Sequence, residues 1–98
     1  MTATIIDGKA SAARLREKIA AETARLKSAH GLQPGLATVL VGNDPASEVY
    51  VRNKGKTAEA LGFKSVHVAL PADTSQETLL AKVRELSADT SVHGILVQ

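Results

Sequence analysis

The sequence predicts an α/β fold, with three layers in which helices flank a small, mainly parallel sheet. Two observations carry this. Short apolar runs alternate with segments of helical periodicity along the whole chain, and the runs are bounded by glycine or proline. Strands that alternate with helices imply right-handed crossovers and parallel pairing.

The elements follow in order. Ile5-Ile6 suggests a short first strand, and Asp7-Gly8 a turn. From about Ser11 to Ala29, the apolar set Ala12, Leu15, Ile19, Leu26 and Ala29 recurs at helical spacing. Gly31 and Pro34 end that helix in the expected order. Leu36–Val41 is an apolar run between Gly35 and Gly42, as expected of a buried strand. A helix runs from Pro45 to about Leu61-Gly62. Val66–Leu70 is a second strand, closed by Pro71. Thr74 with Glu77 resembles a capping box, and the helix it opens sets Leu79, Leu80, Val83 and Leu86 on one face. Gly94–Gln98 is the third apolar run.

Ninety-eight residues make one small domain, and at 44% apolar content it can bury a core. With one Tyr, one Phe and no Trp, that core must be aliphatic and alanine-rich. A net charge of +2, with no basic cluster among aromatics, gives no reason to expect nucleic acid. The absence of cysteine excludes disulfides and thiolate metal sites, and fits a reducing compartment. No apolar run approaches the roughly 18 residues of a membrane span, and the N-terminus lacks the pattern of a signal peptide. The expectation is a soluble cytoplasmic protein without a membrane partner.

Within the helix from Pro45, a projection at 100° per residue puts Ser47, Tyr50, Val51, Lys54, Ala58 and Leu61 on one stripe. Glu48, Arg52, Lys56 and Glu59 share the opposite, solvated face. The first stripe should pack inward, and Lys54 sits in its middle. A buried ammonium costs several kcal/mol unless paired, so Lys54 is a candidate for proton transfer, with snorkelling to solvent the equal alternative. Tyr50, four residues earlier, is its neighbour on the helix and offers a stacking face or a hydrogen bond. Ligands of parallel sheets collect at the carboxyl ends of strands. Gly42 and Gln98 both lie at such ends, so Gln98, an amide donor and acceptor, is steered toward the same rim.

Other candidates are weaker. Gly42-Asn43-Asp44-Pro45 lacks the glycines of a phosphate loop and is better explained as a helix start, with Asp44 or Ser47 near it and Pro45 in the first turn. His30, His67 and His93 have no ligand spacing, and no metal is expected.

Val41-Gly-Asn-Asp-Pro-Ala-Ser47, Tyr50, Lys54-Gly-Lys56, Leu61-Gly-Phe63 and Gly94-Ile-Leu-Val-Gln98, with the opening Asp7-Gly8-Lys9, resemble the bifunctional methylenetetrahydrofolate dehydrogenase/methenyltetrahydrofolate cyclohydrolase family. The resemblance spans essentially the whole chain. It implies an amino-acid-dehydrogenase-like N-terminal domain, a tetrahydrofolate substrate, NADP as cofactor, and a homodimer in the complete enzyme. It also implies a cytosolic or organellar setting in one-carbon metabolism that feeds purine biosynthesis. In the family's motif, Lys54 matches the general acid/base of the hydrolytic step. Tyr50 matches the residue packed on folate, Gln98 the support of the lysine and pterin site, and Ser47 a position beside the folate.

Family members run to nearly three times this length. Residues 1–98 are therefore expected to be the folate-binding domain, with the NADP-binding domain and a returning C-terminal helix outside the chain. No Gly-x-Gly-x-x-Gly occurs, so none of these residues is expected to bind the dinucleotide. Two alternatives stay open: a folate-binding module or folding unit without activity of its own, and a domain from an amino-acid dehydrogenase of the same fold group. The set Tyr50, Lys54 and Gln98 argues against the latter.

Overall fold

A computed structural model describes residues 2–98. The elements are α1 (Gly8–His30), β1 (Gly35–Val41), α2 (Pro45–Ala60), β2 (Lys64–Leu70), α3 (Gln76–Ala88) and β3 (Gly94–Val97). Three strands form one sheet in the order β2-β1-β3, all parallel. Alternation along β1 divides its side chains between two faces. Ala37 and Val39 pack with Leu86 and Leu79 of α3, and with Val66, Val68 and Ile95 of the flanking strands. Leu36, Thr38 and Leu40 face the α2 side. The central strand is the most buried element, as its continuous apolar run requires.

Several boundaries differ from the sequence expectation, each for a local reason. Ile5 and Ile6 form no strand; they are 86% and 90% exposed and have no neighbouring strand to pair with. Asp7-Gly8 is not a turn ahead of the helix but its start. The Asp7 carboxylate accepts from the Ala10 amide at 3.1 Å, so α1 begins a turn earlier than its apolar periodicity indicates. At the other end Gly31 adopts φ 62°, and its amide and that of Leu32 return to Lys27 O and Leu26 O, a glycine C-cap. The polar pair Lys64-Ser65 belongs to β2, because the Lys64 amide donates to Pro34 O at 2.8 Å and pairing begins opposite Gly35. Ser75, not Thr74, caps α3: its Oγ accepts from the Thr78 amide, while the Thr74 hydroxyl donates back to Pro71 O.

The molecule is extended, with a radius of gyration of 16.6 Å against about 13 Å for a compact chain of this size. Helix α1 is the cause. It meets the rest through its second half, where Thr23 is buried and a Cβ at Gly62 would lie 3.2 Å from Thr23 Cγ2. Of its expected apolar face, Ile19 and Leu26 are half-buried, but Leu15 is exposed.

Candidate functional site

The carboxyl ends of β1 and β3 lie side by side. Gln98 continues the ladder beyond β3: its amide donates to Val39 O and its carbonyl accepts from the Val41 amide, both at 2.8 Å. Its side chain therefore leaves the sheet at a fixed place, on the same face as Thr38 and Leu40. Gly42 ends β1 with φ 89°, a value suited to glycine, and its amide donates to Leu70 O. From there Asp44 caps α2, accepting from the Ala46 amide at 3.1 Å, with Pro45 in the first turn.

Helix α2 then carries Lys54 back over the sheet. Lys54 Nζ donates to Gln98 Oε1 at 3.4 Å, a long contact between a helix residue and a strand-end residue that the sequence steered toward the same rim. Tyr50 and Lys54 line an open, shallow apolar recess of about 400 Å3 together with Ile19, Leu36, Leu61 and Phe63. Tyr50 is 59% exposed. Ser47 stands apart: its hydroxyl donates to Asp44 Oδ2 at 3.4 Å, within the helix cap, and it does not line that cavity.

The inward stripe of α2 is displaced from the expected one. Val51 and Ala58 are buried and Gly55 lies half-buried between them, so the sheet receives the line Val51–Gly55–Ala58. Lys54 and Tyr50 flank this line and are exposed. The ammonium is thus not stranded in packing, and the premise of a buried charge is corrected. What remains is a solvent-reachable amine held by an amide oxygen, next to a phenol and an apolar recess. That set can seat a flat, partly apolar ligand and exchange a proton with it.

The opposite flank is solvated as expected, with Arg52, Lys56 and Glu59 exposed; with Glu48 they border a second recess, of about 510 Å3, that Thr38, Leu40 and His67 also line. Thr38 is only 2% exposed, and its Oγ1 lies 3.2 Å from His67 Nδ1 and 3.5 Å from Val66 O. No role for His67 was expected; the pairing arises from the β1–β2 register, which sets Thr38 opposite His67.

Comparison with known proteins follows the same lines. Residues 6–98 match the family model described as tetrahydrofolate dehydrogenase/cyclohydrolase, catalytic domain. Over 98 residues the chain is 64% identical to the bifunctional protein FolD of Parvibaculum lavamentivorans and 61% identical to that of Nitrobacter winogradskyi. Among solved structures it is similar to the bifunctional FolD enzyme of Campylobacter jejuni, with a TM-score of 0.92 and 44% identity over 97% of this chain and 33% of that one. It is also similar to Trypanosoma brucei FolD, solved with NADP cofactor and an inhibitor. There the TM-score is 0.93 and the identity 39%, over 100% of this chain and 34% of that one. The chain spans about a third of the length of the curated relatives it matches, 33% for both of those named.

Proposed function

The chain belongs to the tetrahydrofolate dehydrogenase/cyclohydrolase family, and we propose on that premise that it is the folate-binding portion of an enzyme of one-carbon metabolism. The reactions are the NADP-dependent oxidation of 5,10-methylenetetrahydrofolate and the hydrolysis of the methenyl product to 10-formyltetrahydrofolate. The observation that carries this reading is the contact of Lys54 with Gln98 at the rim of the sheet, beside Tyr50.

In the hydrolytic step water adds to the methenyl carbon, Lys54 Nζ takes up a proton from it and delivers a proton to N5 as the C–N5 bond breaks, leaving the 10-formyl product and one proton released to solvent. Gln98 Oε1 accepts from Nζ and aims it; its position is set by the backbone bonds to Val39 and Val41. The Tyr50 ring packs on the pterin, supplying area rather than chemistry. Ser47, bonded to Asp44 in the helix cap and outside the Tyr50–Lys54 recess, is left at most a flanking contact with the folate. In the oxidation the protein's part is positioning.

The residues present do not fit NADP. The one strand-to-helix turn at the site, Gly42-Asn43-Asp44-Pro45, has a single glycine, and the Asp44 carboxylate occupies the helix end where a pyrophosphate would bind. The dinucleotide is therefore held by polypeptide other than residues 1–98, which act as the folate-binding domain. The complete enzyme works as a cytoplasmic homodimer that supplies one-carbon units for purine biosynthesis. Among the described residues no helix is long and apolar enough to cross a membrane.

Titrating this chain with a tetrahydrofolate analogue, while assaying NADP reduction, tests the reading. Saturable binding without turnover is expected. No binding at millimolar analogue overturns the folate assignment, and NADP-dependent turnover by these residues alone overturns the placing of NADP.

A further inference from the structure

At the amino end of the sheet, away from Lys54, the entry into β3 is built around a histidine that the proposed chemistry does not use. The His93 amide donates to Gly35 O at 2.8 Å, and the Gly35 amide donates to His93 Nδ1 at 2.9 Å. Two bonds thus fasten the residue before β3 to the first residue of β1. Packing holds the partners in place. A Cβ on Gly35 would lie 1.9 Å from Ser91 O, so the turn before β3 rests on a bare α-carbon. The turn is itself tied down. Ser91 donates through its amide and its hydroxyl to Asp89 Oδ1 at 2.9 and 2.7 Å, and Lys64 Nζ donates to Ser91 Oγ at 2.7 Å.

We propose that His93 is a proton-operated clamp on the start of β3. An imidazole nitrogen accepts a hydrogen bond only when it carries no hydrogen, and in the protonated ring both nitrogens are donors. The Gly35 amide has its hydrogen pointed at Nδ1, so the closed clamp needs the neutral ring with its hydrogen on Nε2. Protonation sets one N–H against another. The imidazole then turns away, and the junction is held by the His93 amide alone. The clamp is closed while the ring is neutral and opens when the ring takes up a proton, so lower pH favours the open form.

The charged groups that the structure ties to this junction are Asp89, on the same turn, and Lys64, from β2; Pro34 and Gly35 bring no titratable side chain. The Ser91 hydroxyl and amide, and then Lys64, hold the Asp89 carboxyl below the usual aspartate range, so Asp89 stays charged above that range. Strand β3 is only four residues long and leads directly to Gln98, so a loosened entry also loosens the strand that positions Gln98. That consequence for Lys54 rests on the function proposed above; the clamp does not.

The test is amide hydrogen exchange of Gly35, followed by NMR on the labelled chain from pH 8 to pH 5 and corrected for the intrinsic exchange rate. Protection should fall about threefold to tenfold, the value of one hydrogen bond. In His93→Gln, which keeps an acceptor but cannot titrate, the profile should be flat. The imidazole nitrogen shifts of the parent at pH 8 should show Nδ1 as the unprotonated nitrogen. Unchanged protection in the parent, an equal fall in His93→Gln, or a hydrogen on Nδ1 at pH 8 each overturns the clamp. Folate binding measured in the same samples separates this from failure of the proposed function.

Discussion

Lys54 Nζ lies 3.4 Å from Gln98 Oε1, although the two residues are 44 positions apart in the chain. Each is placed by a different element: Lys54 by the cap that starts α2, and Gln98 by two backbone bonds to β1. A contact between side chains so independently anchored is a geometric consequence of the parallel sheet.

Lys54→Met should therefore separate fold from function. The side chain is exposed, so the melting free energy should change by less than about 0.5 kcal/mol. In a full-length family member, the same change at the lysine matching Lys54 should lower hydrolysis of the methenyl substrate by about 100-fold or more. Thermal melts of this chain and rates of methenyl hydrolysis check the two halves; hydrolysis at the parent rate removes Lys54 from the proton-transfer role.

Tyr50 should act by contact area alone. The residue is 59% exposed, so Tyr50→Ala should leave stability within about 0.5 kcal/mol of the parent. Affinity for a tetrahydrofolate analogue should drop about threefold to tenfold, the usual value of an aromatic face. Tyr50→Phe should restore it. Calorimetric titration decides this, and loss of affinity in the Phe variant would show that the hydroxyl, not the ring, makes the contact.

Two glycines should respond to alanine with opposite sign. At Gly35 the new Cβ would sit 1.9 Å from Ser91 O and 3.0 Å from Ser91 C, both main-chain atoms that cannot swing aside. Gly35→Ala should cost about 3 kcal/mol or more, at the upper end of overpacking. At Gly55, inside α2, the nearest atom is Ser65 Oγ at 3.4 Å, an ordinary contact. Gly55→Ala should stabilise by about 0.5–1 kcal/mol through helix propensity. Urea melts of both variants measure the difference.

The sequence conveyed what periodicity can convey. Apolar runs bounded by glycine or proline marked all three paired strands, and spacing of three and four marked the helices, because burial of one face is what those patterns record. It brought Gln98 to the rim near Lys54 because strand ends in a parallel sheet share one edge. The facing of α2 was less legible. Projection defines an arc, but whether Tyr50–Lys54 or Val51–Ala58 meets the sheet depends on where the helix sits over the strands, which no spacing states. The pairing of Thr38 with His67 was hidden for a related reason: it needs the register of β1 on β2, between residues 29 positions apart. Helix ends were misplaced where a cap competed with a neighbour, as Ser75 does with Thr74.

Acid stability should reveal Asp89 separately from His93. The Ser91 hydroxyl, the Ser91 amide and then Lys64 favour the charged carboxylate and lower its pKa in the fold. A group lowered on folding adds stability that is complete above its unfolded value, near 3.9, and that disappears as pH falls through the folded value. Asp89→Asn retains a carbonyl acceptor but no charge. Its deficit against the parent should therefore be constant from pH 7 to pH 5 and shrink as pH drops below about 4. Urea midpoints of parent and variant, compared at each pH, test this. A deficit that stayed the same at pH 3 would mean that the charge contributes nothing.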